Sequence, residues 1–345
     1  MLNYQFAEVC FHLEEEIGQE GRNSQVFKAT DKHLDAVIVV KQISKKQESG
    51  TDLDPEKFFQ ESKILYLSGH TNVVPVHYAC QDQDFVYIAM PLYAKGSLKK
   101  RMDAEFLTVR EIIRYATQFL SGLANIHSKG LIHFDIKPDN ILLSDRDEAL
   151  VSDFGLAKFT HPDGSALPDM IYSGHFVPEA LDEDLHLTRQ TDIYQVGLTL
   201  YRMCNGNADF ERQLQVFASD DEFQAAILSQ TFPDRRSFLP HIPEKMRKTI
   251  KKCLEVSPEN RHASVIDIIN DLADIDDNAL DWRYSDDGTQ RKWTKQSDDK
   301  TYCLAVDSQN ISTATKQIAE REQRISSYCL PSIDNAGIKR FLKAH

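Results

Sequence analysis

The sequence predicts an α+β fold of two unequal lobes followed by a small α+β accessory module, and three observations carry that prediction. β-Branched runs such as residues 36–43 (AVIVVKQI) and 84–90 (DFVYIAM) crowd the first quarter of the chain. From Ser97 onward apolar residues recur at helical spacing instead. After about Asp276 the pattern reverts to short aromatic-bearing strands broken by Asp-rich turns. The expected divisions are a β-rich lobe over about 8–91, a larger α-rich lobe over about 92–275, and the module over 276–345.

Within the first lobe, one helix interrupts the strands. It is expected to start at Asp54-Pro55, an N-cap residue followed by proline, with Phe58, Ile64, Leu65 and Leu67 on one apolar face. In the second lobe, Thr108 and Glu111 form a capping box, and Ile112, Tyr115, Ala116, Phe119, Leu123 and Ile126 follow at helical spacing until Gly130 ends the run. Further helices are expected over about 190–204, 244–255 and 263–271. In the module, strands are expected at 282–284, 292–294 and 302–306, a helix capped by Ser312 running to about Arg324, and a second helix over the last ten residues.

Composition narrows the function. A hydrophobic share of 41% with 9% aromatics supplies sizeable cores, and a net charge of -13 disfavours nucleic acid and anionic membranes as partners. Six dispersed cysteines contain no Cys-x-x-Cys pair, and the first sixteen residues are acidic where an export signal would be basic and then apolar. The expected setting is reduced and cytoplasmic, with no membrane span.

The chemistry-bearing residues come in order. Residues 17–26 (IGQEGRNSQV) place Gly18, Gly21, Ser24 and Val26 at a strand-turn-strand, where missing Cβ atoms let backbone N–H groups approach phosphate oxygens. Lys41, in a strongly apolar strand, needs a charged partner, and Glu61 on the following helix can supply it. Residues 133–140 (HFDIKPDN) precede an apolar strand and hairpin, and then Asp153-Phe154-Gly155. Together these closely resemble the glycine loop, catalytic loop and Asp-Phe-Gly metal motif of the protein-kinase family. Val177-Pro178-Glu179, Arg261 and the 192–197 run (DIYQVG) resemble that family's later landmarks.

The resemblance covers about residues 8–275 and implies a bilobal protein-kinase fold, ATP and Mg²⁺ as cofactors, and a protein substrate phosphorylated on serine or threonine, the chain itself included. It implies that Asp135 orients the substrate hydroxyl, Lys137 neutralises γ-phosphate charge, and Asn140 and Asp153 hold Mg²⁺ through hard oxygens. Lys41, aligned by Glu61, would meet the α- and β-phosphates. Met90 would stand beside the adenine, Pro91, Leu92 and Tyr93 would offer backbone groups to its edge, and Val26, Val39 and Leu142 would sandwich it. Lys137-Pro138 in the loop favours serine/threonine over tyrosine specificity.

Several residues depart from the family pattern. Phe134 replaces the usual arginine of the catalytic loop, which removes the cation that reads a phosphorylated activation segment. Tyr172 stands where threonine is usual, Ser24 replaces the third loop glycine, and Gly18 lies one residue early. Thr160, Ser165, Tyr172 and Ser173 are candidate autophosphorylation sites. A pseudokinase scaffold and a small-molecule kinase are the alternatives; intact Lys41, Asp135, Asn140 and Asp153 speak against the first, and Glu179 with Arg261 against the second. In the module, Trp282, Tyr284, Trp293 and Tyr302 are expected to pack a small core rather than form a recognition face, and the module is a candidate for regulation or partner binding.

Overall fold

A computed structural model describes residues 8–18, 24–46, 59–168, 175–181, 187–276 and 278–345. The first lobe is an antiparallel sheet of β1 (Phe11–Gly18), β2 (Ser24–Asp31), β3 (Ala36–Ser44), β4 (Tyr78–Gln81) and β5 (Phe85–Pro91), in the order β1-β2-β3-β5-β4. Strand alternation divides its residues between two faces. Ile38 and Val40 of β3 bury against Ala29 and Ala89 on one face. The register pairs Val26 with Lys41, Lys41 with Ile88, and Val39 with Met90, so these residues share the opposite face.

Helix α1 (Gln60–Leu67) carries Glu61 and buries Ile64 and Leu65. Leu67, expected on the same face, lies in the last turn and is 49% exposed. The expected start at Asp54-Pro55, and Phe58, lie outside the described residues.

The second lobe begins with α2 (Leu98–Ala104) and α3 (Val109–Ser128). Thr108 and Glu111 form the reciprocal capping box read from the sequence, and Gly130 follows the helix at φ +68°, a left-handed conformation that glycine adopts without a Cβ penalty. Short strands β6 (Leu131–Ile132) and β9 (Lys158–Phe159) pair with each other, as do β7 (Ile141–Leu143) and β8 (Ala149–Val151). The lobe is completed by α4 (Arg189–Asn205), α5 (Asn207–Leu214), α6 (Asp220–Leu228), α7 (Glu244–Cys253) and α8 (Val265–Ala273). Every residue of α4 from Thr191 to Asn205 is buried, which makes it the central post of the lobe. Helices α5 and α6 were not anticipated from the sequence.

The module is a five-stranded meander of β10 (Arg283–Asp286), β11 (Gln290–Ser297), β12 (Lys300–Asp307), β13 (Ser312–Ile318) and β14 (Arg321–Arg324), closed by α9 (Asn335–Ala344). The helix expected from Ser312 to about Arg324 is instead the β13–β14 hairpin. Ser312 does not cap a helix: its Oγ donates to the Tyr328 carbonyl and accepts from the Leu330 N–H. Ala314 pairs opposite Leu304 inside the core, while Thr313 faces out, an alternation that Thr313 and Thr315 fit as β-branched residues.

The aromatics pack the module core as expected, with Trp282 and Trp293 fully buried and Tyr284 nearly so. They also fasten it to the lobe. Trp293 Nε1 donates to His241 Nδ1 at 3.3 Å, Arg110 pairs bidentately with Asp281, and Phe106 meets the Tyr284 ring edge-on at 4.7 Å. These contacts gather around the N-terminal end of α3, a helix about 30 Å long at 1.5 Å per residue. The catalytic-loop motif follows its other end. Among the described residues no helix is long and apolar enough to cross a membrane.

Candidate active site

The loop over residues 133–140 is built on α4. Asp192, fully buried, accepts from the backbone N–H of His133 (2.9 Å) and Phe134 (2.8 Å), and its Oδ2 lies 2.7 Å from His127 Nε2. One helical turn along, Gln195 accepts from Ile136 N at 2.9 Å and donates to the Phe134 carbonyl at 2.8 Å. Residues three apart share a helix face, so these two side chains clamp one strip of loop backbone. The clamp is needed because Phe134 sits at φ +66°, a conformation costing about 1–3 kcal/mol for a non-glycine residue.

On that scaffold the polar groups converge. Asn140 Nδ2 donates to both the carbonyl (3.0 Å) and Oδ2 (2.7 Å) of Asp135, and Lys137 Nζ lies 3.0 Å from the same Oδ2. Asp135 Oδ1 and Asn140 Oδ1 are buried and have no hydrogen-bond partner. Buried acceptors are ordinarily satisfied, so two orphan oxygens side by side in one loop mark places for a donor or a cation. Asn140 also ties the loop to the Asp153-Phe154-Gly155 run, because its carbonyl accepts from Ser152 N (2.9 Å) and Ser152 Oγ (3.0 Å). His133 adds a second tie, with Nε2 3.1 Å from the Ser152 carbonyl and its ring edge-on to Phe154 at 4.9 Å.

Lys41 bridges the lobes. Its Nζ lies 2.8 Å from Glu61 Oε1 and 2.8 Å from Asp153 Oδ1, with side-chain exposures of 8%, 13% and 21% for the three residues. Burial alone would pull the ammonium down, but the Asp153 and Glu61 carboxylates outweigh it and hold Lys41 above its ordinary value. Asp153 adopts φ +55°. A Cβ on Gly155 would come within 3.3 Å of Asp153 Oδ1 and 3.6 Å of Lys41 Nζ, so glycine there keeps the approach open.

Val26, Val39 and Met90 share a sheet face with Lys41 through the strand register. Leu142 stands half-buried between Ile141 and Leu143, which are both committed to the main core. Leu92 is half-buried just after β5. Gly18 pairs with Val26 at the strand end; a Cβ there would make ordinary 3.6 Å contact with Val26, so the described packing does not itself demand glycine. Ser24 begins β2, while Gly21, Tyr172 and Ser173 lie outside the described residues.

Farther along, Arg261 grips Glu179 through two parallel hydrogen bonds of 2.8 and 2.7 Å, both side chains buried, and also donates to the carbonyls of Gln190, Val256 and Glu255. His127, Gln195, His175 and Arg202 were not singled out from the sequence. For Gln195 a signal was present, since it follows Asp192 by three residues on the same helix.

A two-lobed fold with a lysine–carboxylate bridge between lobes and a clamped Asp/Asn loop defines a phosphotransferase-type site. The protein kinase domain matches residues 11–271, and the chain belongs to that family, which implies ATP as substrate and Mg²⁺ as the usual metal. It is similar to a probable serine/threonine-protein kinase of Clostridium acetobutylicum, 29% identical over 270 residues that make up 78% of this chain and 40% of that protein. It is also similar to serine/threonine-protein kinase PknK of Mycobacterium tuberculosis, 30% identical over 277 residues, 78% of this chain and 24% of the relative. Serine/threonine-protein kinase PknD of Protochlamydia amoebophila is 24% identical over 310 residues, 79% of this chain and 30% of the relative. The chain thus spans between about a quarter and two fifths of the length of these curated relatives.

Proposed function

We propose that this chain is an ATP-dependent serine/threonine protein kinase that phosphorylates protein substrates, itself included. The observation that carries the reading is the pair of buried orphan oxygens, Asp135 Oδ1 and Asn140 Oδ1, beside the Lys41–Asp153 ion pair. Asp135 Oδ1 accepts the hydrogen bond of a substrate hydroxyl and aims it, while Asn140 Nδ2 and Lys137 fix the other oxygen. Asn140 leaves only its oxygen unpartnered, because its amide nitrogen is engaged by Asp135. That leaves a hard oxygen suited, with Asp153, to Mg²⁺. Two such ligands fit a metal that completes its shell with water and substrate phosphates. When bound, Mg²⁺ neutralises developing phosphate charge. Lys41 and Lys137 supply fixed cations for the phosphates, and the apolar face of Val26, Val39 and Met90 with Leu142 receives the adenine, with backbone groups of Pro91, Leu92 and Tyr93 at its edge. Gly18, Gly21 and Ser24 belong to the loop over the phosphates.

Lys137-Pro138 and the serine/threonine kinases among the relatives support the hydroxyl class. The kinase domain is read as residues 1–275 and the module as 276–345. Six unpaired thiols support a reducing, cytoplasmic setting. The module stands at the opposite end of α3 from the loop, which supports partner binding or regulation from a distance over any direct part in chemistry.

The test is incubation of the purified chain with γ-labelled ATP and Mg²⁺ beside Asp135→Ala and Asp153→Ala, with phosphosites mapped by mass spectrometry. Phosphoserine or phosphothreonine that vanishes in both variants is expected. Mg-dependent ATP binding without transfer to itself or to generic proteins would return weight to the scaffold and small-molecule readings.

A further inference from the structure

His175 stands two residues before Val177-Pro178-Glu179, is 1% exposed, and belongs to no motif discussed above. Its Nδ1 lies 3.1 Å from the Ile136 carbonyl and its Nε2 lies 2.9 Å from Arg202 Nη1. These partners leave no choice of tautomer. A carbonyl only accepts, so Nδ1 carries the proton; a guanidinium only donates, so Nε2 is the acceptor. A protonated ring would present an N–H to Arg202. Burial, together with the Arg202 and Lys137 cations, holds the imidazole well below its ordinary value.

Ile136 is the residue between Asp135 and Lys137. Its N–H is taken by Gln195, and its carbonyl accepts from His175 and, at 3.3 Å, from Thr199 Oγ1. The two peptide units on either side of Ile136 are thereby fixed, one by α4 and the other by α4 and His175 together. Arg202 is itself anchored: Nε donates to Asn207 Oδ1 at 3.0 Å, Nη2 lies 3.7 Å from Asp139 Oδ2, and the guanidinium stands over the Phe210 ring at 5.2 Å. A fixed post on α4 thus carries a hydrogen-bond relay into the catalytic loop.

We propose that His175 is a positioning residue, an uncharged imidazole that sets the Asp135–Lys137 backbone through the Ile136 carbonyl and so couples the Pro-Glu segment to the group that aims the hydroxyl. The inference rests on the reading of Asp135 given above. A displacement of about 1 Å at a reacting group can lower the rate by on the order of 100-fold.

The test separates the two ring nitrogens. In His175→Asn the side-chain amide N–H₂ replaces Nδ1 as donor to Ile136 but takes the ring-nitrogen acceptor away from Arg202 Nη1. In His175→Gln the amide oxygen reaches Arg202 but the bond to Ile136 is lost. Steady-state kinetics with MgATP and a peptide substrate, and thermal unfolding, are measured on both. Positioning predicts opposite orders: His175→Asn keeps kcat within about threefold yet is the less stable, whereas His175→Gln is the more stable yet loses at least about tenfold in kcat, with KM for MgATP unchanged within about twofold. If kcat follows stability, or both variants keep full kcat, His175 is structural only. Should neither fold, Thr199→Val removes the other donor to the same carbonyl; lowered kcat at unchanged KM supports the proposal, and unchanged kcat overturns it. Asp135→Asn, run alongside, keeps the failures apart. Retained activity there overturns the Asp135 reading and the proposal with it, while an inactive Asp135→Asn beside a fully active His175→Gln overturns the proposal alone.

Discussion

Phe134→Ala is the substitution that best tests how this chain holds its activation segment. The Phe134 ring is fully buried among Ile132, Ala166 and Leu187, with Leu156 and Ala180 against the same cluster. Ala166, within the segment, and Leu187, beyond Glu179, meet through an Ala166 N to Leu187 carbonyl hydrogen bond of 2.8 Å. An apolar plug therefore occupies the position where a phosphate-reading arginine is usual in the family. Burying a phenylalanine side chain contributes about 1.5–3 kcal/mol by transfer, and the cavity left by truncation raises the expected loss to about 3–5 kcal/mol. The backbone should stay in place, because Asp192 and Gln195 hold the Phe134 N–H and carbonyl independently of its side chain. Urea denaturation should show the midpoint falling with the slope unchanged. In the wild type, phosphatase treatment should leave kinase activity largely intact if packing around Phe134, rather than a phosphate, sets the described parts of the segment. A cost below about 1 kcal/mol, or complete loss of wild-type activity on dephosphorylation with the phosphate mapped to the segment, would refute the reasoning.

Other substitutions probe the remaining charges. Arg261→Met should lower stability by about 3–5 kcal/mol, because it leaves Glu179 buried without its partner; calorimetry of this variant beside Glu179→Gln and the double variant should show strong non-additivity. Lys41→Met should reduce phosphate transfer at least about 100-fold while nucleotide binding measured by calorimetry persists, because the fixed cation acts on charge that develops during transfer. His175 and His241 are both buried and held below their ordinary value, His241 to about 3. For a base with a depressed folded value, stability is complete above about pH 6.5 and is lost as the pH falls below it, since the unfolded chain takes up the proton first. Stability should therefore fall as the pH drops from about 6.5 to about 5, approaching about 1.4 kcal/mol per pH unit for His241, with His175 acting in the same direction, and His241→Phe should remove its proton from the slope.

The sequence was most informative where a residue type is dictated by local chemistry. Thr108 and Glu111 marked the start of α3 because a capping box needs only four consecutive residues, and Gly130 marked its end through a backbone conformation that few other residues accept. The Lys41–Glu61 pairing was legible because a lysine inside an apolar strand requires compensation. The Ser312 segment failed for the opposite reason. Its small and apolar residues fit helical and strand spacing alike, and the choice was made by β12, whose Leu304 and Val306 offered partners across the register. Helices α5 and α6 are short, and α6 buries only Ala226 and Ile227, too little periodicity to stand out. His175 and Arg202 were invisible for a further reason: the meaning of His175 lies in its contact to Ile136, 39 residues earlier in the chain, and that of Arg202 in its contact to His175, 27 residues earlier.

The site is therefore held in two different ways. Asp135, Asn140 and Lys137 rest on α4, a helix buried along almost its whole length, so their mutual geometry is set by the core of one lobe and should survive most changes elsewhere. Lys41, Glu61 and Asp153 come from β3, α1 and the residues after β8, and their 2.8 Å contacts exist only while the sheet, the helix and the larger lobe stand in one arrangement. Any influence that moves α1 or the sheet changes the second set and spares the first. The module packs beside the N-terminal end of α3, on the lobe that carries the fixed set, and its fastening contacts, Trp293 to His241 and Asp281 to Arg110, are made to residues of that larger lobe. A partner acting through the module must therefore either present the substrate to the fixed set or itself reach the first lobe across the cleft, because the contacts it could pull on directly are those least able to misalign Lys41.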